Sequence, residues 1–378
     1  MSRSASVRPV EIELRRLEVP LVEPIVAAHG TESVRRVVVV RATADDGIDG
    51  WGECDALARP TYTSEWHEGA WLVLRDLLAP AAVAGIDAGV TGHPMAMAAI
   101  EGALVDLRLR REGRSLAVEL GASRRRIHSR AVLGMVGNGV GGDMSGPSAI
   151  DQLLAAVAER LADGHRSVKL KVRPGWDLEP LSAVRATWPD LDLAADANGS
   201  YRAGVDDDHL VGLDRLELAY LEQPLSAADL IGHAALRRRI ATPVALDESI
   251  TGPESLRIAL DLGALDVVNV KPARVGGIGP STSLHRVVVD HGIGAFCGGM
   301  YELGIGRSVA LAVAAMPGFG SPADLGPTRR YVATDITPPL DLDREGSLAV
   351  PAGPGVGPVP DARRLDEVTV ERCVVRPV

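Results

Sequence analysis

Six functional side chains recur along the chain at a nearly fixed interval. Lys171, Asp196, Glu222, Asp247, Lys271 and Cys297 follow one another after 25, 26, 25, 24 and 26 residues. Each closes a short apolar run: SVKLKV (167–172), LDLAAD (191–196), LAYLEQ (218–223), PVALDE (243–248), DVVNVK (266–271) and GAFCGG (294–299). Between them lie stretches with helical character, near 177–188 and over 226–240, 253–262, 279–291 and 304–315. One strand plus one crossover helix has about this length, and strand–helix alternation requires parallel pairing. So many consecutive units predict a closed (β/α) barrel, in which the C-terminal strand ends gather on the face where active sites lie.

The same texture begins further upstream, near residue 129. AIDQLLAAVAERLADGH (149–165) places Ile150, Leu153, Leu154, Val157 and Leu161 on one helical face and stops at Gly164. Before residue 129 the pattern is α+β. VEIELRRLEVPL (10–21) alternates like a strand, and 34–54 reads as a hairpin around the Asp-Asp-Gly turn at 45–47. Helices are predicted around 64–80 and over 95–113. In the tail, PAGPGVGPVP (351–360) is a rigid loop and VTVERCVV (368–375) a last strand. The expected division is 1–128 as an α+β cap, 129–337 as the barrel, and 338–378 as a segment returning to the cap.

Composition removes several functions. The chain has 378 residues, 46% hydrophobic, ample for a large core. Forty basic and fifty acidic residues leave a net charge of −10, and aromatics are only 3%. That balance argues against nucleic-acid binding, which needs a basic face or stacking platforms, and against adhesion to an anionic membrane. No apolar run approaches the roughly 20 residues of a membrane span, and the start lacks a signal-peptide core. Cys54, Cys297 and Cys373 are too dispersed for a zinc finger or a disulfide framework. A cytoplasmic protein is expected.

The ladder carries specific chemistry. Asp196, Glu222 and Asp247 on neighbouring strands form an oxygen-rich site of the kind that hard divalent cations require, Mg²⁺ or else Mn²⁺. Lys169 and Lys171, two apart on one strand, share a face, and Lys271 comes from further round the barrel to oppose them. Lys169 beside Lys171, with the charge of the cation nearby, is expected to lower the pKa of Lys171 and make it a base. A cation on a substrate carboxylate stabilises the dianion formed when the adjacent carbon loses its proton. The predicted reaction class is proton abstraction α to a carboxylate, through an enediolate held by the metal. Any one of these residues alone is as well explained as a helix cap or a solvated loop charge. Five in register are not.

These residues resemble the enolase superfamily, and the Lys169-Leu-Lys171 pair with opposing Lys271 resembles its muconate-lactonizing-enzyme subgroup. KLKVRPGWDLEP (169–180), DAN (196–198), EQPL (222–225), LDESI (246–250), NVKPARVGGI (269–278) and CGGMYELGIGR (297–307) are similar to the o-succinylbenzoate synthase / N-succinylamino acid racemase family. So are PLVEP (20–24), GWGEC (50–54) and TDITPP (334–339). The resemblance implies a modified (β/α)7β TIM barrel under an α+β cap built from both termini. It implies Mg²⁺ on Asp196, Glu222 and Asp247, and Lys171 and Lys271 on either side of the α-carbon. Lys169, Asn198, Arg274, Gly298, Gly299 and Met300 would serve the substrate, a small-molecule carboxylate. A homo-oligomer is expected.

In the synthase reaction, a dehydration of menaquinone biosynthesis, Lys171 would take the α-proton of 2-succinyl-6-hydroxy-2,4-cyclohexadiene-1-carboxylate and return it to the departing hydroxyl. Lys271 would remain charged. In the racemase reaction the two lysines would act as a two-base pair. The motif serves both, and Arg274, which accompanies racemase competence in the family, is the most useful discriminator. Dipeptide epimerisation is disfavoured because SPADLG (321–326) lacks an Asp-x-Asp pair. A catalytically idle barrel would show losses in the ladder, and there are none. Leu133, Leu303 and the loop IVAAHG (25–30) depart from the family pattern and bear on substrate preference.

The remaining candidates have plainer readings. His29, His165 and His291 read as capping or solvated residues, and Cys297 as a small pocket-lining residue. Tyr62 and Trp66 either close over the substrate or pack the cap. GNGVGGDMSG (137–146) reads as a loop and lacks a phosphate-loop pattern.

Overall fold

A computed structural model of the chain describes residues 8–27, 30–135, 147–320 and 322–377. The Gly-rich run 137–146 and His29 lie outside the described residues. The cap opens with three strands, β1 (Glu11–Ala27), β2 (Gly30–Thr43) and β3 (Asp49–Cys54). They form an antiparallel meander turned at Gly47, whose φ of 80° suits glycine. The run VVVV in β2 is apolar throughout because both faces of this sheet are covered. Val38 and Val40 join Ile12 and Leu14 against the helix Pro94–Arg111. Val37 and Val39 join Leu17 and Val19 against Leu303, Ile305 and Ala312 of the barrel side. Gly50 and Gly52 let the helix Pro94–Arg111 approach. A Cβ at either would run into the backbone of Ala99 or Ala103.

Two short strands, β4 (Arg126–His128) and β12 (Ser347–Ala349), pair with each other. The barrel strands are β5 (Ala131–Leu133), β6 (Ser167–Lys171), β7 (Asp192–Asp196), β8 (Leu221–Glu222), β9 (Val244–Leu246), β10 (Val267–Val270) and β11 (Gly294–Cys297). They lie in chain order in one parallel sheet. Ala323 and Asp324 complete the ring. Ala323 bridges Ser129 before β5, and Asp324 bridges Gly298 after β11. The fold is therefore the expected capped α/β barrel. The last strand, β13 (Thr369–Val375), returns to the cap and pairs antiparallel with β1.

Alternation along the strands separates two layers. Leu170, Ala195, Leu221, Leu246, Val268 and Cys297 face outward into the apolar layer beneath the helices. Ala194, Tyr220, Ala245 and Phe296 plug the interior. The next inward position on each strand, at the C-terminal end, is where the charges stand. Among the described residues no helix is long and apolar enough to cross a membrane.

Candidate active site

The register shows how the charges are brought together. Lys171 pairs with Asp196, and Asp196 with Glu222, so these three stand level across β6, β7 and β8. Glu222 then pairs with Ala245, so Asp247 lies one pleat further along the next strand. Leu246 pairs with Val268, which sets Asp247 beside Asn269 and leaves Lys271 one pleat further again. That stagger is what tilted barrel strands produce. It brings Lys271 up towards the cap.

Cys297 breaks the pattern. It pairs with Val270, an outward position, so the inward group next to Lys271 is Gly298. The Cys297 thiol donates to the Ala310 carbonyl at 3.4 Å and is not among the residues lining the cavity of Lys171 and Lys271, which corrects the expectation of a residue lining that pocket. A Cβ at Gly298 would strike the Asn269 side chain.

One cavity holds most of the predicted residues. Lys169, Lys171, Asp196, Asn198, Lys271, Gly299 and Met300 line it. Glu222 and Asp247 are buried beneath it, and Lys169 bonds Glu222 Oε2 at 2.5 Å. Lys171 Nζ donates to Asp196 Oδ2 at 2.6 Å and to Asn198 Oδ1 at 2.7 Å. Lys271 Nζ reaches Asp247 Oδ2 at 2.7 Å and Tyr62 Oη at 2.8 Å. Asn269 holds the other oxygen of Glu222 at 2.7 Å. Arg274 stands apart from the cavity wall. It is buried behind Asp247, with Nη2 2.9 Å from Oδ1 and Nη1 donating to the Ile250 carbonyl at 2.7 Å.

Several residues of the site were not singled out in the sequence. Asp324, from the segment that closes the barrel, pairs with Lys169, and its Oδ1 is buried without a hydrogen-bond partner. Glu248 accepts a bond from Asn198 Nδ2 at 2.8 Å. Tyr301, Arg307 and Tyr331 complete the wall. Asp324 follows its bridge partner Gly298 by 26 residues and so continues the interval of the ladder; what hides it is that its segment, SPADLG, lacks the apolar strand pattern of the earlier rungs. Tyr62 lies on the cap, and its hydroxyl reaches across to Asp247 Oδ2 at 2.7 Å.

The electrostatics of the amines are set mainly by burial and by the carboxylates. Burial is the largest influence on Lys171 and lowers its pKa, yet the Asp196 carboxylate, joined by Tyr301, pulls the other way and the net direction is upward. Lys169 does push Lys171 down, as a like charge must, yet it is weaker than the Asp196 contact. Lys169 and Lys271 also move upward against their burial. Asp324 and Glu222 act on the first, and Asp247 and Glu222 on the second. Burial and the Asp196 charge push Glu222 up to about 8. Asp196 is held down against its burial by Lys171 and Lys169. Among the described residues no three acid, histidine or cysteine side chains are gathered into a ready-made ion cage. The carboxylate oxygens are turned to the lysines instead.

A capped barrel of this topology with acids and lysines on its strand ends defines a class, and the chain belongs to it. Residues 10–121 match the mandelate racemase / muconate lactonizing enzyme N-terminal domain, and residues 152–364 match the enolase C-terminal domain-like family. The chain is an enzyme of the enolase superfamily. It is 43% identical to an N-succinylamino acid racemase of an Amycolatopsis species over 96% of this chain and 97% of the relative. It is 35% identical to an o-succinylbenzoate synthase of Geobacillus stearothermophilus over 94% of each. A probable mandelate racemase from Alicyclobacillus acidocaldarius superposes with a TM-score of 0.89 at 37% identity, over 97% of both chains.

Proposed function

We propose that this enzyme is an o-succinylbenzoate synthase, dehydrating 2-succinyl-6-hydroxy-2,4-cyclohexadiene-1-carboxylate, with N-succinylamino acid racemisation as the second reaction of the same site. The observation that carries the reading is the pair Lys171 and Lys271 in one cavity, each anchored to a different carboxylate. Relatives bearing each of the two names support it, at 43% and 35% identity.

Asp196, Glu222 and Asp247 would hold a divalent cation, Mg²⁺ or Mn²⁺. Three buried carboxylates on adjacent strand ends repel one another, and Asp247 Oδ1 lacks a hydrogen bond of good geometry. Both features suit a hard cation. Such an ion, when bound, supplies positive charge to the substrate carboxylate and so acidifies the adjacent carbon. Lys171 would remove the α-proton. Burial and Lys169 already favour its neutral form, and the Asp196 contact is the strongest influence opposing them. Moving the Asp196 oxygens off the amine would therefore free the base. In dehydration Lys171 would then give the proton to the departing hydroxyl, so that water leaves and the ring becomes aromatic. Lys271, charged, would face the developing negative charge. In racemisation Lys271 would deliver or take the proton on the other face. Lys169, Asn198, Gly298, Gly299 and Met300 would position the substrate, and Arg274 would act on it through Asp247.

The reading includes a catalytic barrel over 129–337 beneath a cap of 1–128 and 338–378, a cytoplasmic location and a homo-oligomer. Purified protein with Mg²⁺ is to be offered each substrate. Ring aromatisation is followed by ultraviolet absorbance, and racemisation of N-succinylamino acids by polarimetry. Turnover of the cyclohexadiene is expected, and turnover of neither compound would refute the proposal.

A further inference from the structure

Tyr301 is one of four non-glycine residues among those described with a positive φ, here 60°. That region is unfavourable for a bulky side chain, and residues held in it cluster at functional sites. Tyr301 follows Gly299 and Met300, and its side chain lines the cavity that contains Lys171 and Lys271. Both amines act electrostatically on its phenol. Its ring meets Tyr331 edge-on, with centroids 5.5 Å apart.

The backbone of this turn is held from the cap. Arg35 of β2 is fully buried. Its Nε donates to the Tyr301 carbonyl at 3.0 Å, and its Nη2 to the carbonyls of Met300 at 3.2 Å and Asp55 at 2.7 Å. Among the described residues no other side chain donates to the carbonyls of Met300 and Tyr301. The turn's amides are held separately. Glu302 Oε1 accepts from Met300 N at 2.7 Å, and Glu53 accepts from Leu303 N at 2.6 Å and Gly306 N at 2.8 Å. A planar guanidinium is the side chain that can take several carbonyls at once in fixed geometry.

We propose that Arg35 is a positioning residue of the reaction: from the cap it clamps the Met300–Tyr301 carbonyls, keeps Tyr301 in its left-handed conformation, and so sets the phenol into the cavity shared by Lys171 and Lys271. This rests on the two-lysine reading above. It makes the cap a working part of the site at a residue that touches no substrate.

The test has two arms. The first is amide hydrogen exchange over residues 298–306 in the full chain. Arg35→Met should quicken it at least about tenfold while the paired β1–β2 amides hold their protection. The second arm is turnover. Misplacement of a cavity wall by about 1 Å is worth roughly 100-fold, so Arg35→Met should lower kcat by about that factor with KM nearly unchanged. Arg35→Lys, which keeps the charge but not the fork, should fall between. Because Arg35 acts through Tyr301, adding Arg35→Met to Tyr301→Gly should cost little more kcat than Tyr301→Gly alone. Unchanged exchange, wild-type kcat, or losses that simply add would each overturn the proposal. If Arg35→Met does not accumulate, Arg35→Lys decides: reduced kcat with faster exchange supports the clamp, and wild-type values for both contradict it. If the wild type turns over neither acid, the functional reading fails by itself and the exchange arm still decides the clamp.

Discussion

Lys271 and Arg274 divide one carboxylate between them: Lys271 Nζ stands 2.7 Å from Asp247 Oδ2, and Arg274 Nη2 stands 2.9 Å from Oδ1. The lysine faces the cavity and the arginine does not. Asp247 is held well below the usual carboxylate range. Burial raises it, but Lys271 and Arg274 together outweigh that. Arg274 in turn lowers the Lys271 pKa. Removing the arginine strips Asp247 of one counter-charge and tightens its hold on the lysine.

Arg274→Gln is therefore expected to slow proton transfer at Lys271 more than at Lys171. Racemisation should fall about 10- to 100-fold, the range for losing a group that orients a catalytic or ligating side chain. Dehydration, in which Lys271 only has to stay charged, should fall much less. Parallel kcat/KM measurements on both substrates check this, and equal losses would contradict it.

Gly298→Ala would press a methyl into Asn269, the residue that holds Glu222. Overpacking of a tight site costs about 1–3 kcal/mol. A lowered urea midpoint and reduced turnover are both expected. Wild-type stability would mean that the Asn269 side chain moves aside freely.

His67 is buried in the cap, and burial, helped by Arg16, Arg35 and Arg36, pushes its pKa down to about 3. The unfolded chain binds the proton near 6.5. Between about 6.5 and 3 the unfolded state therefore holds more protons than the folded state, so this group makes stability fall as the pH is lowered through that window. At about 1.4 kcal/mol per pKa unit the full effect is on the order of a few kcal/mol. The stability difference between His67→Leu and wild type, from urea unfolding at pH 7 and pH 4.5, should move in favour of the variant at the lower pH. A difference independent of pH would contradict this.

Added Mg²⁺ should stabilise the protein by mass action if Asp196, Glu222 and Asp247 bind it. Thermal scans after chelator treatment, with and without the ion, are expected to show a rise in Tm that Asp196→Asn and Asp247→Asn both abolish. A rise that survives both substitutions would place the ion elsewhere.

Much of this was legible in the sequence, for a physical reason. A parallel barrel repeats one strand and one crossover per unit, and its inward strand ends face a common point. The interval from Lys171 to Lys271 thus records three-dimensional convergence directly. Boundaries were less legible. The expected strand 218–223 is only Leu221–Glu222, and the helix expected from 226 begins at Leu230, after Asp229 caps it by accepting from Gly232 N at 2.7 Å. Cys297 had the right spacing and the wrong side, because a one-residue offset reverses the face of a strand. Asp324 and Arg35 escaped altogether. One keeps the interval, 26 residues after Gly298, but lies on a segment without an apolar strand pattern, and the other reads as an ordinary charge in a β-strand until the packing of cap on barrel buries it. The lysine pKa values depend on carboxylate distances that no spacing gives.

The most direct measurement is exchange of the α-proton of each enantiomer of an N-succinylamino acid with deuterium oxide, followed by proton NMR in the presence of Mg²⁺. The wild type should exchange both enantiomers. Lys171→Ala and Lys271→Ala should each lose racemisation and retain exchange of at most one enantiomer, a different one in each variant. Exchange of both enantiomers by either single variant, or of neither by the wild type, would contradict the account of two lysines facing one α-carbon.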